Sequence, residues 1–269
     1  MSGFSASWLA LRERYDVQAR NKSVLDAVAA FASARSSIAI TDLASGTGST
    51  PRAIATILPK RQVWRLVDND LGLLARAGAW NTPAGIQLMT VPVDLARDLE
   101  LALDGQVDLV TASALLDLVS DAWLERLAIE IAARRLPLYA ALTYDGAVSF
   151  DPADPLDDAI IAAVNEHQTR DKGFGPALGP GAAAAAIRRF QIVDYRITQG
   201  PSDWTLGGKD TEIQTELVAG WAGAACDPGT ISIDEAARWL ASRRNAIQAG
   251  KSSIRVGHVD FFATPIGTR

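Results

Sequence analysis

The chain has 269 residues, 48% of them apolar and 21% charged, which suits a globular α/β chain with a sizeable core and is unlike a disordered one. Its 31 acidic and 26 basic residues leave a formal net charge of -5 with no long block of Lys and Arg, so a phosphate-tracking nucleic-acid surface is not expected. Cys226 is the single cysteine and His167 and His258 are the two histidines, too few for an internal disulfide or the usual Cys/His zinc spacings; the expectation is no metal and a reducing, cytoplasmic setting.

Residues 1–36 read as a helical lid. Met1 to Ala10 lacks a basic stretch followed by an apolar run, so no signal peptide is expected. Trp8, Leu11 and Tyr15 fall at helical spacing, and Ser23 is placed to cap a second helix with Val24, Val28 and Phe31 on one face. The first strand, Ile38 to Thr41, ends at Asp42 and leads into the turn Ser45-Gly46-Thr47-Gly48-Ser49-Thr50. Pro51 suits the first position of the next helix, which turns Ile54, Ile57 and Leu58 inward. Val63 to Val67 is a second strand ending at Asp68, with a helix marked by Leu71, Leu74 and Ala75 behind it. Ile86 to Val91, a helix around Leu95 to Leu103, Val107 to Thr111, a helix from Ser120 to Arg135, and Leu138 to Leu142 continue the alternation. Strands alternating with helices predict an α/β domain over 37–269, built on a doubly wound, mostly parallel sheet covered on both faces.

Beyond Tyr144 the rhythm changes. Asp145 to Pro155, rich in Gly, Pro and Asp, reads as a loop; a helix with Ile160, Val164 and His167 on one side comes next. Gly173 to Gly181 is irregular, and Ala182 to Ala186 opens another helix. Phe190 to Tyr195 and Val256 to Phe262 are the late strand candidates, with helices near Ile213 to Ala225 and Asp234 to Ala249 between them. The segments 145–185 and 200–250 are thus expected as helical, substrate-side insertions. No apolar stretch reaches membrane-spanning length before a charge interrupts it, so no membrane association is expected.

The strongest chemical signal is the order strand, Asp42, small-residue turn, helix, strand, Asp68. Small residues let the backbone approach a ligand, the helix start offers unpaired N–H groups, and a carboxylate ending the next strand is placed to accept both hydroxyls of a ribose. A nucleoside ligand is the expectation. Pro51 stands where a dinucleotide fingerprint has its third glycine, and no Gly-Lys-Ser/Thr ends the turn as in a phosphate-binding loop.

Thr41-Asp42-Leu43-Ala44-Ser45-Gly46-Thr47-Gly48-Ser49 resembles the first motif of class I methyltransferases that use S-adenosylmethionine (SAM), and Leu66-Val67-Asp68-Asn69-Asp70 resembles their second. Val93-Asp94-Leu95 is similar to their adenine-holding position, and Val107 through Leu116 to their fourth strand and the segment after it. The resemblance spans roughly Ser37 to Thr143 and implies a seven-stranded Rossmann-like sheet whose final strand is antiparallel. It implies that Ala44, Ser45, Gly46 and Gly48 pack beside the methionine part of SAM, with Asp42 toward its amino group. Asp68 would hold the ribose, Asn69, Asp94 and Leu95 the adenine, and Ser113 would line the methionine or acceptor side. Ala44 departs from the family's usual glycine.

Methyl transfer from a sulfonium needs alignment in a dry site, and a base where the acceptor must lose a proton. His167 and Asp171 are the candidates for that role, since a histidine titrates near neutrality. His167 reads equally as a helix-face residue packed beside Ile160 and Val164, and Asp171 with Lys172 as a solvated helix end. Lys172, Tyr144, Asp145, Tyr15 and Trp204 are candidate acceptor contacts, and Arg20 would close over the cofactor's carboxylate. The expected function is transfer of a methyl group from SAM to an oxygen or nitrogen of a small molecule. An RNA or protein methyltransferase on the same fold is a second reading, although Ser113-Ala114-Leu115-Leu116 lacks the Asn/Asp-Pro-Pro-aromatic motif of nucleobase enzymes. A silent partner-binding subunit is a third.

Overall fold

In the computed structural model, which describes residues 4–267, β1 (Ser37–Leu43) lies mid-sheet, parallel to β2 (Arg61–Asp68) on one side and to β4 (Leu109–Ser113) on the other. β3 (Ile86–Pro92) extends the sheet beyond β2, and β5 (Leu138–Asp151) beyond β4, both parallel. The last strand, β8 (Ser253–Pro265), runs antiparallel between β5 and β6 (Tyr195–Pro201). The order is β3-β2-β1-β4-β5-β8-β6, and β7 (Trp204–Leu206) pairs with the first half of β8, which brings the predicted seven strands to eight. The order reverses between β1 and β4, and an open α/β sheet gathers ligands in the crevice at the carboxyl ends of its strands there.

Because successive strand residues point to opposite faces, strands buried on both sides read as apolar runs. Ile38, Ile40, Trp64, Leu66 and Tyr139 pack under α2 (Lys22–Ser33), α3 (Ser49–Ile54) and α4 (Leu71–Gly78). Leu43, Val67, Val110 and Leu138 pack under α5 (Leu99–Ala102), α6 (Asp121–Ala133) and α8 (Ala182–Ile192). A third apolar cluster joins α1 (Ala6–Ala19), α7 (Asp157–Gln168), α9 (Thr211–Cys226) and α10 (Ile233–Gln248) to β7 and to the outer half of β8, through Tyr15, Ile160, Trp204, Leu217, Trp239 and Ile254. None of the described helices is long and apolar enough to cross a membrane.

Three expected boundaries are corrected. Residues Asp145 to Pro155 are not simply a loop: β5 continues to Asp151, paired with Ser253 to Val256 after a register shift between Tyr144 and Val148. The glycine signal marks that irregularity, where Gly146 has φ +86° and a Cβ would meet Pro180 Cβ at 2.8 Å. Phe190 to Ile192 is the end of α8 rather than a strand. Ala182, Ala183, Ala185, Ala186 and Phe190 form one buried helical stripe while Ile192 is 80% exposed, so helix-favouring alanines carry the helix through a short alternating run. The strand begins at Tyr195, after Asp194 turns the chain at φ +61°. The helix expected from Leu95 to Leu103 shortens to Leu99–Ala102.

Candidate functional site

At the carboxyl end of β1 the chain takes left-handed backbone at alternate residues, Ala44 (φ 51°), Gly46 (φ 53°) and Gly48 (φ 79°). The turn is held from β2: Ser45 N–H donates to Val67 O (2.9 Å) and Gly46 N–H to Asp68 Oδ2 (2.8 Å), while Asp68 Oδ1 accepts Asp70 N–H (2.9 Å). Asp70 then caps α4 by accepting from Gly72 and Leu73. α1 covers the turn from above. A Cβ on Gly46 would meet Leu9 Cδ1 at 3.3 Å, and Glu13 holds Arg52, whose Nη1 donates to Thr47 O (2.7 Å).

Ala44 is the one residue of this turn whose side chain is at odds with its backbone. Left-handed backbone costs an L-residue roughly 1–2 kcal/mol, whereas glycine adds about 0.4–1 kcal/mol of unfolded-chain freedom. We therefore predict that Ala44→Gly stabilises the protein by up to about 1 kcal/mol, read as a higher urea midpoint. A lower midpoint would mean that the packing of the Ala44 methyl outweighs the strain.

A cavity of about 1330 Å³ opens above this edge. Its outer half is walled by Ala44, Ser45, Gly46, Asp68, Asn69, Asp94 and Leu95, with Ser113 at the end of β4. Asp94 Oδ1 accepts Ala96 N–H (3.0 Å), and Leu95 O accepts the indole N–H of Trp123 (2.7 Å). The inner half is walled by Tyr144, His167, Asp171, Lys172 and Trp204, all expected from the sequence. Trp8, Arg12, Asp16, Asp117, Trp221 and His258 complete it, and these were not foreseen.

Five expected site residues lie outside the walls. Tyr15 packs in the core against Trp204 and donates to Asp210 Oδ1 (2.8 Å). Arg20 is buried beneath Ser113, donating to Tyr139 OH (3.0 Å) and Ser113 Oγ (3.3 Å). Asp42 is buried under the turn, accepting from Thr111 (2.6 Å). Burial raises its pKa to about 7 against the opposing hydroxyls of Thr111 and Thr50 and the charge of Arg20. Gly48 starts α3 behind the lining, where a Cβ would meet Leu66 Cδ1 at 3.2 Å. Asp145 serves the backbone irregularity of β5, accepting Ala147 N–H (2.9 Å).

Among the wall residues, the expected catalytic residues His167 and Asp171 and several expected acceptor contacts already have protein partners. His167 Nε2 lies 3.2 Å from Asp227 Oδ2; burial and the Lys172 charge lower its pKa, opposed by Asp227. Asp171 Oδ1 accepts the N–H groups of Gly173 (2.6 Å) and Gly175 (3.1 Å) and so shapes the loop after α7. Burial lowers the pKa of Lys172, helped by Arg170. Tyr144 donates to Asn165 Oδ1 (2.8 Å). Trp204 donates to Asp16 Oδ1 (3.1 Å), and Asp16 takes a two-pronged pair from Arg12 (2.9 and 3.2 Å), whose guanidinium lies 4.9 Å over the Trp204 ring.

His258, opposite Tyr144 in the β5–β8 register, is enclosed by the Trp204 and Tyr144 rings. Burial lowers its pKa from 6.5 to about 3, with Arg12 adding to the effect. Between those values the unfolded chain binds a proton that the folded one refuses, so the contribution of His258 to stability is whole above 6.5 and declines as the pH falls. At about 1.36 kcal/mol per pKa unit, the stability difference between wild type and His258→Gln should shift by about 2–3 kcal/mol in the variant's favour from about pH 7.5 to about pH 4.5. Urea unfolding at both pH values measures it; a difference independent of pH would contradict the buried, neutral imidazole.

No family model matches the sequence, and no curated protein matches it. Among solved structures the chain is similar to the YcgJ protein of Bacillus subtilis, at 12% identity over 92% of this chain and 100% of that one, with a TM-score of 0.51. A cyclopropane-fatty-acyl-phospholipid synthase-like protein from Lactobacillus casei is matched at 13% identity over 97% and 94% of the two chains, with a TM-score of 0.48. A SAM-dependent methyltransferase from Geobacter sulfurreducens, solved with S-adenosylhomocysteine (SAH), is matched at 12% identity over 99% and 100%, with a TM-score of 0.44. At such identities the likeness is one of fold, the doubly wound sheet described above.

Proposed function

We propose that this protein transfers the methyl group of SAM to an oxygen or nitrogen of a small molecule. The observation that carries the reading is the continuity of one cavity from the left-handed turn, Asp68 and Asp94 to an interior walled by Trp8, Trp204, Trp221 and Tyr144.

The outer half has the donors and acceptors that such a cofactor requires. Each oxygen of Asp68 accepts one backbone N–H, and a carboxylate offers about four lone-pair sites, so acceptor capacity remains for two ribose hydroxyls. Asp94 keeps similar capacity for the adenine amino group, with Leu95 and Leu71 as apolar neighbours. Ser45 Oγ is buried in the wall and finds no partner among the described residues. Ala44 and Gly46 bring the backbone of the turn into the cavity wall, where the amino-acid end would lie. SAM supplies an electrophilic methyl group on a sulfonium, so the protein's part is to align an acceptor and keep water out. Pockets for a single drug-sized ligand measure about 300–1,000 Å³, and the volume here exceeds that, leaving space for a small acceptor beside the cofactor.

Calorimetric titration with SAM and SAH tests the reading. Binding with a Kd on the order of 1–100 μM and a rise in melting temperature are expected, in line with usual cofactor and substrate ranges. No heat and no thermal shift at millimolar SAM would overturn it.

A further inference from the structure

The inner half of the cavity contains a carboxylate that the fold leaves without a full complement of partners. Asp117 lies in the single helical turn Leu116–Leu118, four residues beyond Ser113 at the end of β4. It is 9% exposed, lines the cavity, and its Oδ1 has no hydrogen-bond partner among the described residues. A buried ionised carboxylate normally collects donors on both oxygens, because the uncompensated charge is costly. Arg12, the nearest cation, is already engaged by Asp16. The cavity wall holds a second incomplete group, His258, whose Nδ1 also lacks a partner among the described residues. Both line the same cavity, between aromatic walls formed by Trp8, Trp204, Trp221 and Tyr144.

Resting on the proposed function, we infer that the acceptor is an aromatic molecule whose hydroxyl donates to the Asp117 carboxylate, and that Asp117 takes the proton released when that oxygen is methylated. The oxygen's lone pair forms the new O–C bond as the S–C bond of the sulfonium breaks. The S–C electron pair stays on sulfur, leaving a neutral thioether, and the hydroxyl proton passes to the Asp117 carboxylate and later to solvent. An aryl hydroxyl suits the carboxylate better than an aryl amine does, because it is the stronger hydrogen-bond donor and the more acidic group. Burial raises the pKa of Asp117 to about 6, opposed by its own backbone N–H, by Arg12 and by the Tyr144 N–H, which makes it a base that is ionised at neutral pH yet able to hold a proton. The titratable and charged groups of the inner cavity are Arg12 and Asp16 of α1, Tyr144 of β5 and His258 of β8, with His167, Asp171 and Lys172 on the α7 side and Glu216 on α9.

The probes are 1-naphthol and its isostere 1-naphthylamine, titrated into the full-length, SAH-loaded protein with tryptophan fluorescence as the readout. For wild type, naphthol affinity should weaken about tenfold from about pH 7.5 to about pH 4.5 as the carboxylate is protonated, and in Asp117→Asn it should be flat. With labelled SAM, Asp117→Asn should keep its melting temperature and its SAH affinity within about threefold, bind naphthol about as weakly as wild type does at about pH 4.5, and lose about a hundredfold or more in kcat. Naphthol that fails to bind, binds with the same pH dependence in both proteins, binds less tightly than naphthylamine, or is methylated by the variant at the wild-type rate overturns the inference. If the Asn variant unfolds, the wild-type naphthol titration and the naphthylamine comparison decide it alone. SAH binding is measured separately in the same titrations: its absence in wild type sinks the proposed function and this inference together, whereas intact SAH binding beside any of those adverse results sinks only the role of Asp117.

Discussion

Asp68→Ala should lower the affinity for SAM at least about a hundredfold, because two hydrogen bonds to a charged acceptor, each contributing about 1.5–3 kcal/mol, go with one carboxylate. The loss has a second origin within the protein. Asp68 Oδ2 accepts the Gly46 N–H and Oδ1 the Asp70 N–H, so the same side chain fixes the left-handed turn and the start of α4. Without it those N–H groups must find water, and the loop that meets the amino-acid end loses its shape. Asp68→Asn separates the contributions. One amide oxygen can still accept from Asp70, while the amide NH2 faces the Gly46 N–H as donor against donor, so the turn suffers more than the shape of the pocket does. Calorimetry gives the affinities, and circular dichroism with a urea titration shows whether each variant remains folded. A folded Asp68→Ala protein whose SAM affinity stays within about threefold of wild type would remove the main anchor of the proposed function.

The outer half of the cavity was legible in the sequence because its parts are local. The turn, Asp68, Asp94 and Ser113 each sit at or just past the end of a strand, and a parallel sheet brings strand ends to one edge whatever the details of helix packing. The inner half was legible only in fragments. Arg12, Asp117 and His258 come from a helix, a single turn and a strand far apart in sequence, and no periodicity links them. Asp117 left one clue, a lone carboxylate within Leu115-Leu116-Asp117-Leu118, where a solvated turn would have fewer leucines. His258 left another, an imidazole inside a strand whose neighbours are apolar. Tyr15 and Arg20 were assigned to the ligand because α1 was expected to close over the cavity. α1 does cover it, but the residues it presents are Trp8, Leu9, Arg12 and Asp16, a register that helical spacing alone does not select. Asp145 misled for a different reason: an Asp-Gly pair marks a strand irregularity as readily as a loop.

Asp157→Ala should destabilise the protein by about 3–5 kcal/mol, the cost of leaving one member of a buried ion pair without its partner. Arg243 on α10 is 2% exposed; its Nη2 donates to Asp157 Oδ2 at 3.0 Å and its Nη1 to Pro152 O at 2.7 Å. Its guanidinium lies 4.7 Å over the Phe150 ring, at the far end of β5. Asp157 Oδ1 also accepts the indole N–H of Trp239 at 2.8 Å, so removing the carboxylate strips partners from two buried donors at once. This knot ties α10 to the first turn of α7, whose other end carries His167 and leads into Lys172, both in the cavity wall. A loosened α7 therefore opens the inner half of the cavity as well as weakening the fold. The direction of the charge effect is testable within the pair. Asp157→Leu combined with Arg243→Met removes both charges, and it should recover most of the stability lost by Asp157→Ala, since replacing a buried pair with apolar residues of similar volume is often neutral or better. Urea midpoints followed by tryptophan fluorescence compare the variants. A double variant no more stable than Asp157→Ala would place the damage in lost packing around Phe150 and Trp239 instead of in the stranded guanidinium.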